Sequence, residues 1–150
     1  MKDKLFIDSD IILDIALTRD PHYPSSALIL SLIESKILDG YTSSIVVSNL
    51  YYILRKLESH KTAIDFITKL RLIIKIIPVT DEVIKLALES KFKDFEDALQ
   101  YYTTLLNNID YLITRNVKDY TRTEIKVHTP DEFLKIKKIK KEWAPAANKA

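Results

Sequence analysis

Short apolar runs alternate along this chain with longer segments in which apolar residues recur every three to four positions. The first kind reads as buried strand and the second as amphipathic helix. The opening stretch KLFIDSDIILDIAL, Lys4 to Leu17, contains both: an apolar strand ends at Asp8, and a short helix follows over Ile11 to Leu17. The turn RDPHYPS, with Pro21 and Pro24, ends that helix. Ser25 or Ser26 is placed to cap the next one, whose Leu28, Leu32 and Ile33 fall at helical spacing. That helix is expected to end near Asp39-Gly40, with the glycine at the C-terminal cap. Tyr41 to Val47 is rich in β-branched residues and predicts a second strand or a strand-to-helix junction. From Ser48, NLYYILRKLES is helical; TAIDFITKLRL follows from His60 or Lys61 and forms a hairpin with it.

The second half repeats the alternation. Ile73 to Val79 is a third strand, ended by Pro78, and Thr80 caps the helix DEVIKLALES. Asp94 caps FEDALQYYTTLLNN, and IDYLITRN is a fourth strand. A fifth strand is expected near Ile125 to His128, and Pro130 opens a terminal helix. Strands alternating with helices predict an α/β fold: three α/β/α layers around a mainly parallel sheet of four to five strands. Residues 1–134 are expected to form one domain. Residues 135–150 form a lysine-rich tail whose solvated face or frayed end is the favoured reading over phosphate contact, and whose last part, Ala144 to Ala150, is expected to be disordered.

Composition narrows the chemistry. A chain of 150 residues that is 47% hydrophobic can bury a substantial core. One glycine leaves no support for glycine-rich phosphate loops, and the absence of cysteine removes thiol catalysis and cysteine zinc sites. No signal-peptide pattern and no apolar run of membrane-spanning length occurs, so a cytoplasmic protein without a membrane partner is expected.

The candidate chemistry lies in carboxylates. Asp8 ends the first strand, Asp10 and Asp14 follow it, Asp94 and Asp97 share one face at a helix start, and Asp119 follows the fourth strand. In a parallel sheet, strand ends and helix starts lie on one edge, so these groups converge there. Asp8 or Ser9 is equally readable as a helix cap. Several carboxylates in one cleft repel each other, and Mg²⁺ or Mn²⁺ relieves that repulsion through oxygen ligands. Such an ion can activate water and stabilise charge on a phosphodiester.

The order and spacing of FIDSDIILD, SSIVVSNLYYILRK, DFEDALQYY and IDYLITRNVKDY resemble the PIN domain, the ribonuclease fold that includes the VapC-type toxins. The resemblance runs from about Leu5 to Pro130. It implies Mg²⁺ or Mn²⁺ held by Asp8, Asp97 and Asp119, with Asn116 as the alternative for the last position. Asp10, Asn49 and Asp94 would support the ion. Arg115 would meet the scissile phosphate or pair with a neighbouring Asp. One position departs from the family pattern: a Glu is usual where this chain has Asn49, and an amide oxygen can ligate but carries no charge. Asp94 is a candidate to compensate, beside its reading as a cap.

The resemblance therefore implies a metal-dependent endoribonuclease acting on RNA, the toxin of a type II toxin–antitoxin pair, with a homodimer and an antitoxin as partners. Its alternative is a weakened PIN-like module that binds RNA or protein. His22, His60 and His128 lack metal-ligand spacing and read as surface or loop residues. Tyr51-Tyr52 and Tyr101-Tyr102 read as core and interface aromatics.

Overall fold

The structure is a computed structural model in which residues 2–120 and 124–140 are described. Leu5, Phe6 and Ile7 are all buried, which is why Lys4–Ile7 (β1) runs through the middle of the sheet. Asp39–Ser43 (β2) and Lys75–Ile77 (β3) lie to one side of it. Tyr111–Ile113 (β4) and Lys126–His128 (β5) lie to the other, in the order β3-β2-β1-β4-β5. Every pairing is parallel.

The connections are helical: Ser9–Ala16 (α1) and Tyr23–Glu34 (α2), then Ser44–Leu57 (α3) and His60–Ile73 (α4), then Asp81–Glu89 (α5) and Phe95–Leu106 (α6). Pro130–Ile136 (α7) follows β5 and packs on α2. The chain winds outward from β1 to β3, then returns across β1 to β4. This reversal puts α1 to α4 on one face and the α5–α6 pair on the other, giving three layers. It also opens a crevice between the carboxyl ends of β1 and β4.

Local chemistry explains most boundaries. Ser43, Ser59, Thr80 and Asp94 cap their helices through side-chain oxygens. Thr129 and Glu132 form a reciprocal capping box at α7. The open reading of Tyr41 to Val47 resolves as a junction: the strand stops at Ser43, whose hydroxyl accepts from Val46 N–H, and Ile45 to Val47 enter the first turns of α3. The lysine-rich segment begins as part of the fold. Lys137 pairs with Asp3 at 2.9 Å and lies over the Tyr111 ring, and Ile139 packs against the core. Residues 144–150, expected to be disordered, lie outside the described residues.

Two expectations are corrected. Helix α2 begins at Tyr23, ahead of Ser25 and Ser26, because Pro24 fits a first helical turn where no N–H is needed. Both serines are buried inside the helix, and Ser25 donates to Asp131 of α7. Helix α2 then ends at Glu34, and Gly40 lies within β2 without a positive φ. Its role is close packing: a Cβ there would stand 2.6 and 2.8 Å from the Ile33 side chain, which is buried in the core. Gly40→Ala should therefore destabilise the protein by about 1–3 kcal/mol through overpacking. Ile33→Ala in the same background should reduce that increment; urea denaturation of the four members of the cycle measures it.

Candidate active site and metal centre

Asp8 sits at the switch point. Its backbone N–H continues the ladder to Ile113 O at 3.0 Å, and its side chain turns into the crevice as the N-cap of α1. Only 4% of the residue is exposed. The carboxylate accepts from Ser9 N–H at 2.6 Å and from the Thr114 hydroxyl at 2.7 Å, and it is hydrogen-bonded by the Gln100 side chain. These donors hold it in one orientation and favour its charge, yet burial outweighs them and raises its pKa. Capping and crevice placement thus coexist in one residue.

The neighbours repeat this balance. Asp10, in the first turn of α1, is pushed up to about 7 by burial and then by the Asp8 charge, although Arg115 opposes the shift. Asp97, on the first turn of α6, is pushed up to about 6 by burial and by the charges of Asp94, Asp8 and Asp119. Tyr120 donates its hydroxyl to Asp97 at 3.3 Å. Its own deprotonation is driven upward by burial and the surrounding carboxylates. Asp97 therefore feels both Asp8 and Asp119 although the three come from distant segments.

The remaining candidates take defined places. Asp94 accepts from Asp97 N–H at 3.0 Å, so it caps α6 and reaches the site as charge. Thr114 bonds Asp8 and also accepts from Asn116 N–H at 3.2 Å, tying the loop after β4 to the end of β1. Asp119 closes the 3₁₀ turn 117–119, and its N–H bonds Asn116 O. Asn49 points at α6, where its amide donates to Glu96 at 3.2 Å.

Arg115 is anchored inward. Its Nε lies 3.1 Å from Asp14 and 3.8 Å from Asp10, and its Nη1 is 3.2 Å from His22 Nε2. Asp14 is fully buried and also faces Arg19 Nε at 3.0 Å. Sequence reasoning assigned no role to Thr114, Gln100, Tyr120, Glu96, His22 or Arg19. Gln100 and Glu96 had a signal, since they stand one turn apart on α6 beside Asp97. His60 bonds Tyr51 at 2.8 Å, Tyr101 is core, and Tyr52 is exposed. A cavity of about 530 Å³ lies at the opposite sheet edge, bordered by Lys2, Ile33, Gly40, Leu72 and Lys75; no candidate site residue borders it.

The donor chemistry fits a divalent cation. The carboxylates are pushed up by burial and mutual repulsion, and the buried Gln100 Oε1 beside Asp8 has no hydrogen-bond partner. Among the described residues, however, no three His, Asp or Glu side chains already stand as a coordination sphere.

The family model for the PIN domain matches residues 4–118, most of the chain, including Asp8, Asn49, Asp97 and Asn116 and stopping one residue short of Asp119. This chain belongs to the PIN domain family. It is similar to Ribonuclease VapC1 of Aquifex aeolicus (strain VF5), with 31% identity over 136 residues, covering 87% of this chain and 93% of that protein. In fold it is similar to VapBC2 from Rickettsia felis, bound to a DNA fragment from their promoter, at TM-score 0.63 and 17% identity, covering 83% of this chain and 97% of that one. It is likewise similar to Mycobacterium tuberculosis VapC20, a sarcin–ricin loop cleaving toxin, at TM-score 0.58 and 18% identity, covering 72% and 86%. Among the described residues of this PIN domain, no helix is long and apolar enough to cross a membrane.

Two outcomes follow from the site's electrostatics. Carboxylates whose folded pKa exceeds the ordinary value near 4 stabilise the fold below that value and lose the contribution as pH rises through the folded pKa. In EDTA, the melting temperature should fall between pH 5 and pH 8 through the titration of Asp97 at about 6 and Asp10 at about 7. Asp10→Asn should flatten that fall, as followed by circular dichroism. Separately, Asp14→Ala removes the buried partner shared by Arg19 and Arg115 and leaves Arg115 with Asp10 as its remaining carboxylate. It should cost on the order of 3 kcal/mol in urea denaturation at pH 7.

Proposed function

We propose that this PIN domain is a divalent-metal-dependent endoribonuclease, the cytoplasmic toxin of a type II toxin–antitoxin pair. The observation that carries this reading is that Asp97 feels the charges of Asp94, Asp8 and Asp119, carboxylates brought from distant segments to the switch-point edge of a parallel sheet. The Aquifex relative is a ribonuclease, and the Mycobacterium structure is a toxin that cleaves the sarcin–ricin loop. The VapBC structures support an antitoxin as partner, and a homodimer completes the proposed assembly.

Asp8, Asp97 and Asp119 would hold Mg²⁺ or Mn²⁺, with Asp10, Asp94 and Asn116 around them. When bound, such an ion supplies Lewis acidity toward a phosphodiester and makes water a better nucleophile near neutral pH. The chain's own residues prepare the place. Thr114 and Ser9 fix the Asp8 carboxylate, Tyr120 holds Asp97, and α1 and α6 present their N-terminal dipoles to the crevice. Asp10 can hold a proton near neutrality while its Oδ2 remains engaged by Arg115. Arg115 acts through position: its backbone N–H and guanidinium pin the loop that carries Asn116 and Asp119.

Asn49 favours a second reading, a PIN scaffold with weakened chemistry that binds RNA or protein. The deciding experiment incubates mixed RNA with wild type, Asp8→Ala and Asp97→Ala in Mn²⁺, Mg²⁺ or EDTA. Cleavage by wild type in Mn²⁺ or Mg²⁺, reduced at least about a hundredfold in both variants and absent in EDTA, is the expected result. Intact, folded wild type that leaves the RNA uncut in both metals would replace the nuclease with the binding module.

A further inference from the structure

The departure at position 49 has a structural counterpart on another helix. Asn49 stands on α3 and Glu96 on the first turn of α6, and the Asn49 amide donates to Glu96 Oε1 at 3.2 Å. An amide NH₂ complements a carboxylate, whereas a Glu at position 49 would place two like charges face to face. Both α3 and α6 begin at the carboxyl edge of the sheet, because α3 follows β2 and α6 leads back to β4. Glu96 therefore belongs to the same edge as Asp8 and is the residue next to Asp97.

A second observation points to a ligand on this side of the crevice. Gln100 lies one turn after Glu96 on α6, is 5% exposed, and hydrogen-bonds Asp8, yet its Oε1 is buried with no partner. A buried carbonyl oxygen without a donor is costly, and a cation or its hydration shell would satisfy it. Asp94, the other candidate to complete this place, has one carboxylate oxygen engaged in capping Asp97 N–H.

We propose that Glu96 supplies the fourth carboxylate of the cleft in place of an acid at position 49, with Asn49 as its tether and Gln100 as a further oxygen beside Asp8. This rests on the metal-dependent reading given above. The negative charge that the usual Glu would bring from α3 comes from α6 instead, so the departure at position 49 relocates an acid and does not remove one. Glu96 is exposed, so its carboxylate is free to take a ligand from solvent while the Asn49 amide holds one of its oxygens.

The test is Mn²⁺ affinity, measured by electron paramagnetic resonance of free ion and by calorimetry on wild type, Glu96→Gln, the swap Asn49→Glu with Glu96→Gln, and Asp8→Asn. Melting temperatures of the same samples in EDTA control for folding. Glu96→Gln should weaken Mn²⁺ binding about tenfold or more, and the swap, which returns the carboxylate to α3, should recover most of that loss. Wild-type affinity in Glu96→Gln, with binding lost in Asp8→Asn, would overturn this inference and leave the metal-dependent reading standing. A loss in Glu96→Gln without recovery in the swap would overturn the link to position 49. Wild type that binds no Mn²⁺ would overturn both.

Discussion

The arrangement depends on keeping a carboxylate buried where two parallel strands end. Asp8 is nearly inaccessible to water, and a charge in that position is tolerated only because Thr114, Ser9 and Gln100 each present a donor. Those donors come from the residue that follows β4, from α1 and from α6. The same three elements converge there because the chain reverses its winding between β3 and β4. Fold topology and the protonation behaviour of one side chain are therefore the same fact seen at two scales. The donors do not fully offset burial, which is why the Asp8 carboxyl is raised above the ordinary carboxylate range.

Features fixed within a few residues of sequence were legible. Leu5 to Ile7 and Tyr111 to Ile113 read as strands because both central strands are apolar on each face. Thr80 and Asp94 read as caps because a cap needs only its own N–H groups three residues on. Tertiary decisions were not legible. The reason for Gly40 lies in Ile33 of α2, and no local rule distinguishes a glycine kept for packing from one kept for a turn. Pro21 and Pro24 both signal a break, but only the surrounding fold places Pro24 inside the first turn of α2. At the site, the acidic positions could be read from motif order, whereas the Asn49–Glu96 pairing needs two helices brought together.

The buried Asp14 shows how the cleft limits its own repulsion. Asp14 has no exposed surface and is flanked by Arg19 and Arg115. These are close ion pairs without well-aligned N–H···O geometry, so they act mainly through charge. Arg115 consequently brings one positive charge to within 3.8 Å of Asp10 while its Nε stays 3.1 Å from Asp14. Of the two readings the sequence allowed for Arg115, the ion pair is the one present in this structure. The loop 114–119 inherits its position from this anchor, and with it the approach of Asp119 to Asp97.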